Sequence, residues 1–240
     1  MYFDAHAHLS PQIGPMLVHA ERAGVREVLL NAMDRADWET LIRLNRQNPL
    51  YHIALGVHPD RVGSLTPGWN DQLDQALIQN PTALVGEVGL DVRSPELGRQ
   101  ESALWLQLNL AARHHRPAVV HCYGAWKRLF SVLDSLPALP PKIMSHSHHG
   151  QPEQIPDLIR KYNMYFSYST IVLPENHPKI RACLRATPDN RLLIESDAPD
   201  LAPDIQSVIK LIPEIAAVRN ESVKNLKQTL YQNTKEFVRC

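Results

Sequence analysis

Short apolar runs alternate along this chain with longer stretches in which apolar residues recur every three or four positions. The runs read as buried strands and the stretches as amphipathic helices. Eight strands are predicted: Tyr2 to His8, Glu27 to Asn31, His52 to Val57, Ala83 to Val88, Ala118 to His121, Lys142 to His146, Tyr165 to Ser169, and Arg191 to Ser196. Between the first two, Met16, Leu17, Ala20 and Ala23 form a stripe closed by Gly24, because glycine accepts the left-handed conformation at a helix end. Asp37 is placed as the cap of a second helix burying Leu41, Ile42 and Leu44, and Asn70 as the cap of a third carrying Leu73, Ala76 and Leu77. Further helices are predicted from Gln100 to His114, Trp126 to Leu133, Glu153 to Lys161 and His177 to Arg185, with more than one from Asp204 onward. Such alternation is the pattern of βα units around a parallel sheet. No linker, charge block or low-complexity stretch interrupts the units, so residues 1–240 are expected to form one domain, an α/β fold with a single (β/α)8 TIM barrel.

Composition narrows the setting. The 240 residues and 44% hydrophobic content suit one barrel core. With 25 basic and 25 acidic residues the formal net charge is zero, so no global positive field exists to hold a long nucleic acid by its phosphates. Any contact with nucleic acid is therefore expected to be local. The three cysteines, Cys122, Cys183 and Cys240, form no Cys-x-x-Cys pair, and the N-terminus opens on a strand pattern instead of a secretory leader. No apolar run approaches the ~20 residues of a membrane span. A cytoplasmic protein with no membrane partner is the expectation.

The chemistry begins at His6 and His8. Residues two apart on a strand face the same way, so these two imidazoles can share a metal ion. Four more potential ligands stand at the ends of predicted strands: Glu87, His121, His146 and Asp197. In a (β/α)8 barrel those ends form the functional face. Four histidines and two carboxylates exceed the needs of one ion and suffice for two divalent ions if Glu87, with its two oxygens, bridges them. Two ions ~4 Å apart activate a water and stabilise a leaving oxygen, which is hydrolytic chemistry. Asp197, close to that water, would act as ligand and general base, making Asp197 and Glu87 the catalytic carboxylates.

Around this set, His58 has two equal readings, as a substrate contact from the third strand's loop or as a loop histidine bonded to backbone. Arg99 is a candidate for a phosphate or carboxylate near the mouth, against the alternative of an exposed arginine at a helix start. His148 shares the register of His146, so either histidine could be the ligand by strand geometry alone. Asp91 reads equally as a site residue or a loop cap. Tyr123 and Trp126 are read as buried under the loop after the fifth strand, with stacking on a base or sugar as the alternative. Cys122 follows His121 directly and so points away from the functional face.

The motifs in order, Phe3-Asp-Ala-His-Ala-His-Leu9, Leu55-Gly-Val-His-Pro59, Gly86-Glu-Val-Gly-Leu-Asp91, Val120-His-Cys122, Ile194-Glu-Ser-Asp-Ala-Pro199 and Asn233-Thr-Lys-Glu-Phe237, resemble the TatD family of metal-dependent hydrolases. The resemblance implies a TIM barrel of the amidohydrolase-like group and a divalent-metal-dependent deoxyribonuclease, with Mg, Mn or Zn as the two ions. It implies that His6, His8, Glu87 and Asp197 hold one ion, and that Glu87, His121 and His146 hold the other. The family's glycine four residues after the sixth-strand histidine matches Gly150 and so favours His146 as ligand, leaving His148 to buttress it or face substrate. Three segments depart from the family pattern. Cys122-Tyr-Gly-Ala125 replaces Ser-Arg-(Asp/Glu)-Ala, Ser147-His-His-Gly150 replaces Cys-Phe-Ser-Gly, and Asp200-Leu-Ala-Pro-Asp204 lacks the basic loop that follows the last aspartate. The ligand set is thus complete while the phosphate-receiving basic groups are missing.

The expected function is a two-metal phosphodiesterase or deoxyribonuclease acting on short single-stranded DNA or a small phosphodiester, with Arg93, Arg99 and Lys127 as its positive rim. The second reading is a metal-dependent amidohydrolase or esterase on a small carbonyl substrate, and the third a non-catalytic complex subunit. Loss of a ligand would have supported that third reading, and none is lost.

Overall fold

The computed structural model of the chain describes residues 1–173 and 177–240. Strands and helices alternate throughout: β1 (Tyr2–His8), α1 (Ile13–Ala23), β2 (Val25–Asn31), α2 (Arg35–Gln47), β3 (Tyr51–Leu55), α3 (Trp69–Gln79), β4 (Leu84–Asp91), α4 (Leu97–Arg113), β5 (Ala118–Tyr123), α5 (Trp126–Ser135), β6 (Ile143–Ser145), α6 (Ile155–Tyr162), β7 (Met164–Tyr168), α7 (Pro178–Ala186), β8 (Leu192–Ile194), α8 (Ser207–Arg219) and α9 (Val223–Val238). The strands hydrogen-bond in the order β1 to β8 in one sheet. The last strand returns to the first, because Ala198 bridges Ala7 in parallel and the Asp197 and His8 amides donate to the His6 and Ala198 carbonyls at 3.0 and 2.8 Å. This is the (β/α)8 TIM-barrel fold that the alternation predicts. Among the described residues no helix is long and apolar enough to cross a membrane.

Packing divides the chain into two compact units. The first is Met1–Leu30 with His146–Val238. Its core holds Phe3, Leu17, Leu29, Phe166, Tyr168 and Ile215, and α9 closes it with Phe237, fully buried and 5.4 Å from the Tyr165 ring. Burial of each such side chain stabilises by about 1.5–3 kcal/mol before entropy is counted. Gly24 ends α1 at φ 98°, the left-handed stop expected of it. The region after Asp204 holds two helices, α8 and α9, as expected.

The second unit is Asn31–Ser145 with Arg239–Cys240. Two helix starts differ here from the sequence reading. Asp34, not Asp37, caps α2 by accepting the Ala36 amide at 2.7 Å, while Asp37 sits in the first turn and reaches back to the Met33 amide at 2.8 Å. Both aspartates can cap, and the earlier one takes the extended backbone that a cap needs. Gly68, left-handed at φ 81°, precedes α3, so Asn70 lies inside the helix and bonds Asp71 instead. The fourth helix begins three residues before Gln100, which places that glutamine on the buried face. There Gln100 and Gln107, two turns apart, use their amides as surrogate backbone: Gln100 brackets the Asp91 N–H and C=O at 2.8 and 3.1 Å, and Gln107 those of Val57 at 2.7 and 3.2 Å. An apolar stripe of Leu104, Leu108 and Ala111 carries both amides against the ends of β3 and β4.

Candidate metal centre

The first unit gathers ligands from β1 and from the ends of β6 and β8. Alternation along β1 turns Asp4, His6 and His8 to one side, and all three are buried. The two imidazoles converge, with their Nε2 atoms 3.0 Å apart. Asp197 takes a left-handed backbone at φ 51°, which a non-glycine residue adopts at some cost, and its Oδ1 lies 3.7 Å from His6 Nε2 and 3.5 Å from His8 Nε2. His146 stacks on His6 with ring centres 4.0 Å apart and points Nε2 at Asp197 Oδ2, 3.8 Å away.

Beneath these ligands lies a hydrogen-bonded layer. Glu195 is fully buried and faces His146 Nδ1 at 3.0 Å; it accepts the Ser147 amide at 2.8 Å and the Ser167 hydroxyl at 2.5 Å. Burial raises its pKa, but the facing His146, with His6 and the Ser167 hydroxyl, outweighs burial and holds it below the ordinary glutamate value. Asp4 accepts the Ser196 amide at 2.8 Å and hydroxyl at 2.5 Å. Burial, helped by the Glu195 charge, holds the Asp4 pKa well above the ordinary value even against those bonds. Two groups of donors have metal-binding geometry: His6, His146 and Glu195, and His8, Asp197 and Asp200, each with donor atoms within 4.8 Å of one another. Glu195, Asp4 and Asp200 were not singled out from the sequence. Glu195 stands two residues before Asp197 and Asp4 two before His6, so the period of two that links His6 to His8 is the signal that finds them.

The second unit gathers His58, Glu87 and His121, again with donor atoms within 4.8 Å of one another. His121 Nδ1 is 3.1 Å from Glu87 Oε1, and His58 Nε2 is 3.6 Å from the same oxygen. His58 accepts the Asp60 amide with Nδ1 at 3.2 Å, so it is the backbone-bonded loop histidine of one reading while its other nitrogen joins a ligand cluster. His121 turns Nε2 to Asp91 Oδ2 at 3.1 Å, and Arg93 takes both oxygens of that carboxylate through Nε and Nη2 at 2.5–3.1 Å. Burial raises the Asp91 pKa, but the bonds from His121 and Arg93 prevail and hold it far below the usual carboxylate range. Here two glycines allow the approach of strands. A Cβ on Gly86 would lie 2.7 Å from that of Val119, and one on Gly89, at φ 157°, would lie 1.9 Å from the His121 carbonyl oxygen.

The remaining expectations divide. Arg99 does start a helix, where it pairs with Glu96 at 3.6 Å and donates to the Leu65 carbonyl at 3.0 Å. His148 is fully buried, 4.7 Å from the Phe166 ring, and burial lowers its pKa to about 3, so it is a neutral core residue with no surface to offer substrate. Tyr123, read as buried, is 41% exposed because β5 ends on it and Gly124 turns the chain away. Cys122 is buried, as its alternation with His121 predicts, and burial pushes its thiol up to about 12.

Both clusters fit a divalent cation. Their donors are imidazole nitrogens and carboxylate oxygens, the set that borderline and hard divalent ions take. Two ring nitrogens 3.0 Å apart, with Asp197 beside both, form a convergent donor set that an ion would satisfy. When bound, such an ion polarises a phosphoryl or carbonyl oxygen and acidifies water.

The family model described as TatD related DNase matches residues 3–239. The chain is 31% identical over 216 residues to the 3'-5' ssDNA/RNA exonuclease TatD of Dickeya dadantii, covering 86% of this chain and 77% of that protein. It is 28% identical over 251 residues to the metal-dependent hydrolase YjjV of Escherichia coli, covering 97% and 96% of the two chains. Among solved structures, that of YjjV superposes with a TM-score of 0.89 at 24% identity over 98% of this chain and 97% of the other.

Proposed function

The chain belongs to the TatD-related DNase family and is a metal-dependent hydrolase; on that premise we propose that it hydrolyses phosphodiester bonds in short single-stranded nucleic acid, residues 1–240 acting as one hydrolase domain. The observation that carries the reading is the complete ligand complement, His6, His8, His146 and Asp197 in one unit and Glu87 and His121 in the other, each buried or nearly so at a strand end. These residues hold two divalent ions, and the abundance of imidazole favours Mn or Zn over Mg.

The chain's own groups then divide the work. The imidazoles bind as neutral rings whose free nitrogens are fixed by their partners: Glu195 sets His146 through Nδ1, and Asp91 sets His121 through Nε2. Asp197, within 3.5–3.8 Å of three imidazoles, is the group that accepts the proton of the attacking water. Glu87 is the carboxylate whose removal is most damaging, since His58 and His121 both face it. Three free thiols suit the cytosolic setting proposed for the protein.

The test is turnover of labelled single-stranded DNA with Mg, Mn or Zn supplied in parallel, beside an activated phosphodiester and a panel of amides and esters. Shortening of the DNA that chelator abolishes, with Glu87→Ala slower by on the order of 10³-fold and carrying fewer ions per chain, is the expected result. Turnover of an amide or carboxylic ester with the DNA left intact would replace this reading with the carbonyl hydrolase.

A further inference from the structure

Resting on that reading, we infer that Arg93 and Tyr123 form a nucleotide-binding subsite beside the Glu87–His121 cluster, which grips a phosphate next to the one being cut. The two residues are placed by backbone, not by chance contact of mobile side chains. Asp91 pairs with Tyr123 across β4 and β5, and the Val92 amide donates to the Tyr123 carbonyl at 3.1 Å. After Tyr123 the chain turns at Gly124, φ 69°, where a Cβ would press to 2.6 Å from a Val92 methyl. The Arg93 amide donates to Asp91 Oδ1 at 2.8 Å, so the arginine leaves its strand in one direction.

The guanidinium is then held on two sides. Its Nε and Nη2 engage the Asp91 carboxylate, and its plane lies 3.8 Å from the centre of the Tyr123 ring. Of its five N–H donors, the Nε hydrogen and one on Nη2 engage Asp91, and the side chain is 61% exposed. Holding the buried Asp91 takes only the Nε and Nη2 edge of the guanidinium and gives no reason for the rest of the side chain to stay 61% exposed. A guanidinium locked edge-on by a carboxylate and stacked on an aromatic ring is instead pre-organised for a phosphate oxygen, since little rotamer freedom remains to be lost on binding. Tyr123, itself 41% exposed, adds a π surface on which a base or sugar rests without regard to sequence.

The subsite is also tied to the chemistry. Asp91 takes His121 Nε2 at 3.1 Å on the same oxygen that Arg93 holds, and His121 Nδ1 faces Glu87 at 3.1 Å. The guanidinium therefore belongs to a chain of contacts that begins at the ligands. On this proposal a substrate with one phosphate beyond the scissile one engages the guanidinium, and a small activated diester has no second phosphate to offer it. The chemical class selected is thus an oligonucleotide of at least two phosphodiesters.

The deciding experiment compares wild type with Arg93→Ala, Arg93→Lys and Tyr123→Leu in two assays. In the first, binding of a fluorescein-labelled six-residue oligothymidylate is followed by anisotropy in chelator at several salt concentrations, so that no turnover is involved. Arg93→Ala is expected to weaken binding roughly tenfold and to make the log–log salt slope shallower by about 0.7, the loss of one phosphate contact on a single strand. Arg93→Lys should recover the slope but only part of the affinity, and Tyr123→Leu should weaken binding by roughly tenfold at unchanged slope. In the second assay, kcat/KM of Arg93→Ala should fall at least tenfold more on a trinucleotide than on bis(p-nitrophenyl) phosphate.

Unchanged binding and slope in Arg93→Ala, with wild type cutting DNA, overturns the subsite and leaves the nuclease reading standing. Equal falls in kcat on both substrates with binding intact also overturn it, since Arg93 would then act only by positioning Asp91 and His121. A wild type that neither binds nor cuts the oligonucleotide overturns the nuclease reading and the subsite together.

Discussion

The two ligand clusters are fixed in place by different means. In the first unit the fixing is done by side chains: Ser147, Ser167 and Ser196 donate to Glu195 and Asp4, and those carboxylates seat His146 and the end of β8. In the second unit it is done by backbone. Gly86 and Gly89 let β4 close on β5, and the Gln100 and Gln107 amides grip the main chain of Asp91 and Val57. A buried network of side chains is satisfied as a whole or fails as a whole, whereas a backbone scaffold leaves its side chains at liberty to reach outward. This explains why Glu195 and Asp4 are fully buried while the Asp91 chain ends on an exposed arginine.

The largest expected effect tests the backbone half. Gly89→Ala sets a methyl where the His121 carbonyl oxygen already lies, on a backbone that disfavours any side chain, and it is expected to cost about 3 kcal/mol or more of unfolding free energy by urea titration. A change under ~1 kcal/mol would mean that β4 is not held against β5 as tightly as the close approach implies.

Glu195→Gln tests the side-chain half and comes next. The new amide group brings hydrogens toward the Ser147 N–H, the Ser167 hydroxyl or His146, so at least one buried donor loses its acceptor. The expected cost is about 2–4 kcal/mol, together with weaker ion binding by isothermal titration because His146 loses its orienting partner. If stability were untouched and only ion affinity fell, Glu195 would be a ligand in its own right and not a support.

How much of this was legible in the sequence follows the same division. The period of two and the apolar runs located His6, His8, Glu87, His121, His146 and Asp197 at strand ends, since those signals are local to each strand. What supports them is not local. Ser147 and Ser167 meet Glu195 across 48 and 28 residues of chain, and no pattern within either segment announces the meeting. Glu195 and Asp4 were within reach by alternation, yet a buried acid two residues before a ligand reads as a hydrophilic gap in a strand until its partners are seen. Gln100 and Gln107 were hidden by the opposite fault: glutamines on an apolar helical face look like its edge. Tyr123 was misplaced because aromatic residues are more often buried than not, and only the β5 end at Gly124 shows otherwise. The cap at Asp34 shows the limit at helix ends, where two aspartates three apart serve equally well by residue type.

Asp91→Asn carries a smaller effect and aims at the link between cluster and surface. Shape is kept, but the charge that orients His121 and Arg93 is lost, so ion affinity and kcat should fall by about 10–100-fold while stability changes by about 1–2 kcal/mol. The opposite balance, a large loss of stability with full activity, would make the second cluster resemble the first and erase the distinction between them.

The smallest effect reads both units at once through their thiols. Burial pushes Cys183, in the first unit, up to about 11 and Cys122, in the second, up to about 12, while Cys240 is exposed. Only a thiolate reacts with a disulfide reagent, so at pH 8 one thiol should label within minutes and the other two only as their surroundings open. Cys122 lies on β5, paired on both sides by β4 and β6, whereas Cys183 lies on α7 with its thiol 3.5 Å from the Gly150 carbonyl. Opening a helix face breaks fewer backbone bonds than pulling a strand from between two others, so labelling in dilute urea should reach Cys183 before Cys122. Should Cys122 label first, the glycine-built strands would be the looser scaffold, and the serine network would be the one that keeps its ligands in place as the molecule breathes.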